Sequence, residues 1–146
     1  LVAGSGDIKH AVSSDFSLDN VEVLGVLSHK EKVQYLSKAQ AFLCPSQYIE
    51  PFGHVVPEAS LCGAPIVTTD FGAFSENVIH GKTGFRGKVF KDFLYAIDNI
   101  DSISPLECRK SAIDRYSVKN ILPQYLKYFD DVLTLYIDER GWYAVN

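Results

Sequence analysis

The stretch AFLCPSQYIEPFGHVVPEASLCG, Ala41 to Gly63, decides the reading of this chain. Its apolar start, Ala41-Phe42-Leu43-Cys44, has the length and composition of a short buried strand, and Pro45-Ser46 ends it because proline supplies no ladder donor. A loop then carries Glu50 off the strand's carboxyl end. Gly53 permits backbone geometry that other residues resist, and Val55, Val56, Ala59, Leu61 and Cys62 form the apolar face of a helix closed by Gly63. The pattern therefore predicts a helix from about His54 to Cys62 whose first amides point at the mouth of a strand.

Amides at a helix start lack intrahelical partners, which suits an anion such as a pyrophosphate. Glu50 and Glu58 flank that turn, and two readings of them stand side by side. In one, Glu50 accepts hydrogen bonds from sugar hydroxyls or stabilises developing positive charge, while Glu58 holds a ribose diol. In the other, Glu58 is a first-turn acid favoured by the helix dipole and Glu50 a solvated loop charge.

The neighbouring segments alternate in kind. Leu1-Val2-Ala3 ends a strand at Gly4-Ser5-Gly6, and Val21 to Gly25 reads as another. Ser28 with Glu31 three residues on makes a capping box for a helix that turns Val33, Leu36 and Ala39 inward. Strands follow at Ala41–Cys44, Pro65–Thr69 and Thr83–Arg86, with a loop over Asp70–Ala73. This is the α/β pattern of a parallel, doubly wound, Rossmann-like sheet with flanking helices. Ligands of such sheets bind outside the carboxyl ends of the strands, where the Gly25-Val26-Leu27 turn, the Pro45–Gly53 loop and the Asp70–Phe74 loop all leave. Beyond Gly87 the periodicity is helical, through Phe90, Phe93, Leu94 and Ile97, then Ile113 and Tyr116, then Ile121, Tyr125, Tyr128, Phe129, Val132, Leu133 and Tyr136. Aromatics at that spacing read as packing rather than ligand stacking.

Composition bounds the function. The chain has 146 residues, 47% of them hydrophobic, enough for one folded domain. A net charge of −4 without a Lys/Arg cluster argues against nucleic acid as a partner. No apolar run reaches membrane-spanning length and no signal segment is visible. Cys44, Cys62 and Cys108 lack metal-ligand spacing and read as reduced, buried thiols of a cytoplasmic protein. Ser13-Ser14-Asp15 and the histidines form no nucleophile turn, so a hydrolase triad is not expected. Asp70 and Glu76 flank the Gly72-Ala73 turn and read as caps before they read as ligand contacts.

The runs Cys44-Pro45-Ser46, Glu50-Pro51-Phe52-Gly53-His54-Val55-Val56-Pro57-Glu58-Ala59 and Cys62-Gly63-Ala64-Pro65-Ile66-Val67 closely resemble the donor-site signature of family 4 retaining glycosyltransferases of the GT-B fold. The likeness continues through Gly72-Ala73-Phe74 with Glu76 and through His80-Gly81-Lys82-Thr83-Gly84-Phe85, covering Val21 to about Tyr128. The resemblance implies a carboxyl-terminal, nucleotide-sugar-binding domain over residues 1–137, with a tail at 138–146 that includes Gly141-Trp142-Tyr143. It implies an excerpt of a longer polypeptide. A strand is already under way at Leu1, no methionine occurs, and the family's first strand and helix, whose Arg and Lys clamp the pyrophosphate, have no match here.

The same resemblance assigns roles. Glu50 would be the catalytic carboxylate beside the reacting carbon. The amides of Phe52, Gly53, His54 and Val55 would hold the sugar and diphosphate, Glu58 the ribose, and Val26 and Leu27 the base. Oriented amides stabilise a departing diphosphate and a carboxylate favours an oxocarbenium-like sugar, so neither a cofactor nor a metal is expected. The expected partners are the nucleotide-diphosphate sugar and an amino-terminal acceptor-binding domain of the same polypeptide, through which peripheral membrane association is open. Pro51 stands where the family often has glycine; it stiffens the loop and removes one amide donor. His54 either donates to a phosphate or faces solvent. Retention by same-face attack or by a covalent intermediate is open, and so are two other functions: a GT-B-fold nucleotide-sugar epimerase, and a non-catalytic nucleotide-sugar binding module.

Overall fold

A computed structural model describes residues 1–8 and 17–137. Strands β1 (Val2–Ala3), β2 (Val23–Gly25), β3 (Phe42–Cys44), β4 (Ile66–Thr69) and β5 (Gly84–Gly87) alternate with helices α1 (His29–Leu36), α2 (Val55–Leu61) and α3 (Phe74–Asn77). Helices α4 (Phe90–Asp98), α5 (Pro105–Tyr116) and α6 (Val118–Ile137) follow, with a 3-10 turn at Ile100–Ser102. The α/β class and the helical second half match the sequence expectation. Ser13-Ser14-Asp15 and the 138–146 tail lie outside the described residues.

All strand pairs are parallel, and β4 is the central strand of the larger sheet. It pairs with β3 from Phe42 opposite Ile66 and with β5 from Ile66 opposite Gly84. Its four residues are all buried, as a strand covered on both faces requires. Side-chain alternation along β4 sends Ile66 and Val67 to opposite sides. Ile66 joins Val56, Ala59, Ala64, Phe74 and Val78 in one core cluster, whereas Val67 joins Phe85, Ala96, Ile100, Ile103 and Cys108 in another. Phe74 is wholly inaccessible and is the largest of the fully buried side chains.

The sheet is divided. β1 and β2 form a two-stranded sheet and β3-β4-β5 a three-stranded one, so among the described residues β1 and β3 each have a partner on one side only. This corrects the expectation of a buried strand at Ala41–Cys44: Leu43 is 49% exposed because β3 is an edge strand. It also explains α1. The capping box forms as read, with the Ser28 N–H donating to the Glu31 carboxylate at 2.9 Å and the Glu31 N–H donating to Ser28 Oγ at 3.3 Å. Yet Leu36 and Ala39 only partly reach the first core cluster, and Val33 is exposed.

Two other expectations change. Cys108 is buried, but Cys44 and Cys62 are half-buried, the first on the edge strand and the second at the carboxyl end of α2; all three are free thiols. The aromatics of α6 expected to pack, Tyr125, Tyr128, Phe129 and Tyr136, are exposed, because α6 lies against α5 while most of its surface meets solvent. Among the described residues no helix is long and apolar enough to cross a membrane.

Candidate functional site

The loops after β3 and β4 leave the same edge of the sheet and are tied together. Thr69 Oγ1 donates to the Ser46 carbonyl at 2.5 Å, and the Ala73 N–H donates to the Glu50 carbonyl at 2.9 Å. Gly72, at φ +54°, makes the approach possible, since a Cβ there would stand 2.5 Å from the Glu50 carbonyl oxygen and 2.9 Å from its nitrogen. Glu50 is thus fixed by its backbone while its half-buried side chain remains at the loop surface.

The turn after Glu50 is set against the core. Gly53 is buried at φ +70°, and a Cβ on it would lie 2.7 Å from Cε1 of Phe74. The chain then enters α2 with His54 at the N-cap position, where its side chain makes no capping bond. Val56 N–H donates to the Gly53 carbonyl and Glu58 N–H to the His54 carbonyl. The amides of Phe52, Gly53, His54 and Val55 donate to no protein acceptor among the described residues. These are the four amides that the sequence reading assigned to sugar and diphosphate. The His54 ring is exposed and lies 4.7 Å from the Phe52 ring, centroid to centroid.

Glu58 projects from the first turn of α2 and meets Lys32 of α1, with Nζ 2.7 Å from Oε2. A cleft of about 240 Å3 opens beside this pair, with His29, Val33 and Leu36 on one wall and Leu61, Cys62 and Arg109 on the other. Arg109 is held in that wall by donating to the Leu61 carbonyl. Val26 and Leu27 lie outside the lining of this cleft; Val26 is 78% exposed at the turn between β2 and α1, and Leu27 is half-buried.

The acids of the second loop divide. Asp70 neither caps a helix nor faces the turn: it pairs with Arg86 at 3.1 Å and with Lys88 at 3.6 Å. Glu76 sits exposed in the first turn of α3, as its capping reading expects, though no side-chain cap bond forms there.

Of three further side chains at this site, Lys32 and Asn77 were not singled out from the sequence, and Tyr116 was read there only as packing. Lys32 is one turn into α1, Asn77 ends α3, and Tyr116 ends α5. Asn77 is buried; its Nδ2 donates to the Phe52 carbonyl and its Oδ1 accepts from the Tyr116 hydroxyl at 2.7 Å. The Tyr116 ring meets Phe52 edge to face at 6.0 Å. Burial raises the Tyr116 hydroxyl above its ordinary pKa, against the opposing pull of Arg115, so it remains a donor. The one local signal was a polar Asn at an apolar position of a short helix; the contacts themselves bridge 25 and 39 residues.

Residues 2–107 match the family model described as "Glycosyl transferases group 1". The chain is 30% identical over 141 residues to a 2-deoxystreptamine N-acetyl-D-glucosaminyltransferase of Niallia circulans, covering 88% of this chain and 36% of that protein. It superposes with TM-score 0.64 and 25% identity on Anabaena Alr3699/HepE, solved in complex with UDP-glucose, over 77% of this chain and 33% of that one. AviGT4, a glycosyltransferase involved in avilamycin A biosynthesis, shares the fold at TM-score 0.66 and 21% identity, over 91% of this chain and 43% of that one. The chain therefore spans about a third of the length of the relatives it matches.

Proposed function

This chain belongs to the group 1 glycosyl transferases and has the fold of a GT-B family 4 glycosyltransferase domain, and from that premise we propose that it is the donor-binding domain of a retaining enzyme. The observation that carries the proposal is the turn between Glu50 and Glu58. Its four amides have no acceptor among the described residues, and two carboxylates bracket it.

In the reaction, the bond from the anomeric carbon to the nucleoside diphosphate breaks, the diphosphate leaves with the electron pair, and an acceptor hydroxyl attacking on the same face forms the new bond and passes its proton to the departing diphosphate oxygen. The amides of Phe52, Gly53, His54 and Val55 stabilise the charge gathering on the diphosphate. Glu50 lies beside the sugar, where its carboxylate favours the oxocarbenium-like transition state. Glu58 accepts from the ribose hydroxyls, with Lys32 balancing its charge next to an anionic ligand. Val26 and Leu27 line the base. Same-face attack accounts for retention without a further nucleophile. The likeness to a protein solved with UDP-glucose supports the nucleotide-sugar assignment.

The divided sheet supports the domain reading. One further parallel strand between β1 and β3 would pair both open edges and give the order β2-β1-x-β3-β4-β5, the arrangement of a dinucleotide-type doubly wound sheet. We propose that another part of the polypeptide supplies this strand and its helix, and that an amino-terminal domain supplies the acceptor site.

The test uses the whole polypeptide that carries this chain, incubated with nucleotide sugars and candidate acceptors. Transfer with the donor's anomeric configuration kept, and abolished in Glu50→Gln, supports the proposal. Isomerised sugar nucleotide without transfer would identify an epimerase, and binding without turnover a non-catalytic module.

A further inference from the structure

The donor turn is held from behind by a part-buried polar chain from the Phe52 carbonyl through Asn77 to Tyr116. We infer that Asn77, locked by Tyr116, is a positioning residue that aims the Gly53 amide at the diphosphate; the inference rests on the function proposed above.

The orientation of Asn77 follows from its partners. A backbone carbonyl can only accept, so the group facing the Phe52 oxygen must be the Nδ2 amide, and this leaves Oδ1 to accept from the Tyr116 hydroxyl. Tyr116 therefore prevents the amide from flipping. The Phe52–Gly53 peptide is trans, and in a planar trans peptide the carbonyl and the following N–H point in opposite directions. Holding the Phe52 oxygen toward buried Asn77 turns the Gly53 N–H away from α3. That N–H has no acceptor among the described residues.

The rest of the assembly keeps this peptide from rotating. Gly53 is pressed against Phe74, and the Phe52 ring rests on the Tyr116 edge. Arg115 donates to the carbonyls of Glu76 at 2.8 Å and of Asn77 at 3.3 Å, so α5 fixes the end of α3 that carries the Asn77 side chain. A glycine turn with unbonded amides is free to flip its peptide plane; here a side-chain amide reached from a distant helix selects one state. Pre-orientation of that kind removes a cost that ligand binding would otherwise carry.

The experiment separates orientation from folding by comparing two ligands that differ only at the diphosphate. In the whole polypeptide, affinities are measured for UDP, GDP and ADP and for the corresponding nucleosides, with wild type, Asn77→Asp, Asn77→Ala and Tyr116→Phe. Asn77→Asp keeps the shape and the acceptor but loses the Nδ2 donor. The expected result is a loss of about ten-fold in diphosphate affinity for both Asn77 variants with nucleoside affinity unchanged, as for one hydrogen bond to a charged group. Tyr116→Phe, which leaves the donor in place but unlocks it, should lose about three-fold on the same scale. Equal losses for diphosphate and nucleoside, or no loss for either, would overturn the inference. If an Asn77 variant does not fold, the Tyr116→Phe comparison decides by the same criterion. A wild type that binds no nucleoside diphosphate would instead count against the proposed function.

Discussion

Lys32 Nζ lies 2.7 Å from Glu58 Oε2, joining α1 to the first turn of α2 across 26 residues of sequence. The two side chains are each 37% exposed, so solvent screens the pair and its share of stability is at most about 1 kcal/mol. Its consequence is orientational: Lys32 takes one carboxylate oxygen and leaves the other for a ligand.

Lys32→Gln should therefore shift the urea midpoint by less than about 1 kcal/mol equivalent while weakening nucleotide binding several-fold. Chemical denaturation and a binding titration on the same variant check both halves. A large stability loss with normal affinity would make the pair a structural one.

Gly53→Ala should be among the most damaging changes of one methyl group in the chain. The φ of +70° is costly for any L side chain, and the new Cβ meets Phe74, which has no room to move. A loss of about 2–4 kcal/mol is expected in denaturant unfolding. Phe74→Leu should relieve part of it, so that the double variant is more stable than the two separate losses add up to.

Gly72→Ala acts on Glu50 through the backbone. The neighbouring atoms are the Glu50 carbonyl oxygen and nitrogen, which cannot swing aside as a side-chain tip would. The loop must shift, and turnover should fall by about 10- to 100-fold, since a displacement near 1 Å at a reacting group has that effect. Nucleotide affinity, carried by the turn and Glu58, should change far less. A parallel loss of binding and turnover would contradict this division of labour.

Cys108 gives a pH signature. Its thiol is fully buried beside the Thr83 carbonyl, and burial pushes its pKa up to about 11. A thiol in the unfolded chain ionises near 8.5, so below that pH neither state releases the proton and the stability is fully present. As pH rises from there toward 11, only the unfolded chain ionises, and unfolding becomes easier by up to about 1.4 kcal/mol per pH unit. Urea unfolding between pH 8 and 11 should show a steeper loss of stability in wild type than in Cys108→Ala, in which Cys44, Cys62 and Tyr116, also raised by burial, leave a smaller slope.

Features that depend on a few neighbouring residues were legible in the sequence. The Ser28–Glu31 capping box, the glycine at the end of α2 and the short strands β4 and β5 are set by local chemistry, and each formed within one residue of where it was expected. The turn between Glu50 and Glu58 was legible for the same reason. Burial was not, because it depends on what lies across the sheet. Leu43 and Val33 have core-like sequence patterns, yet both are exposed where the sheet is divided. The polar contacts of the site were hidden for a third reason. Lys32 to Glu58 and Tyr116 to Asn77 are meetings of distant elements, and nothing in the periodicity of either partner specifies the other. Asp70 shows the converse, since its helix-start position suggested a cap but parallel β5 brings Arg86 within 3.1 Å.

The most direct test of the donor-binding account is calorimetric titration of the whole polypeptide with UDP, GDP and ADP, repeated with Glu58→Ala. The account predicts that one diphosphate binds in preference to the others and that Glu58→Ala weakens it by about ten-fold or more, as the loss of charge-assisted hydrogen bonds to a ribose diol requires. Absence of binding by all three, or equal affinity in the variant, would contradict it.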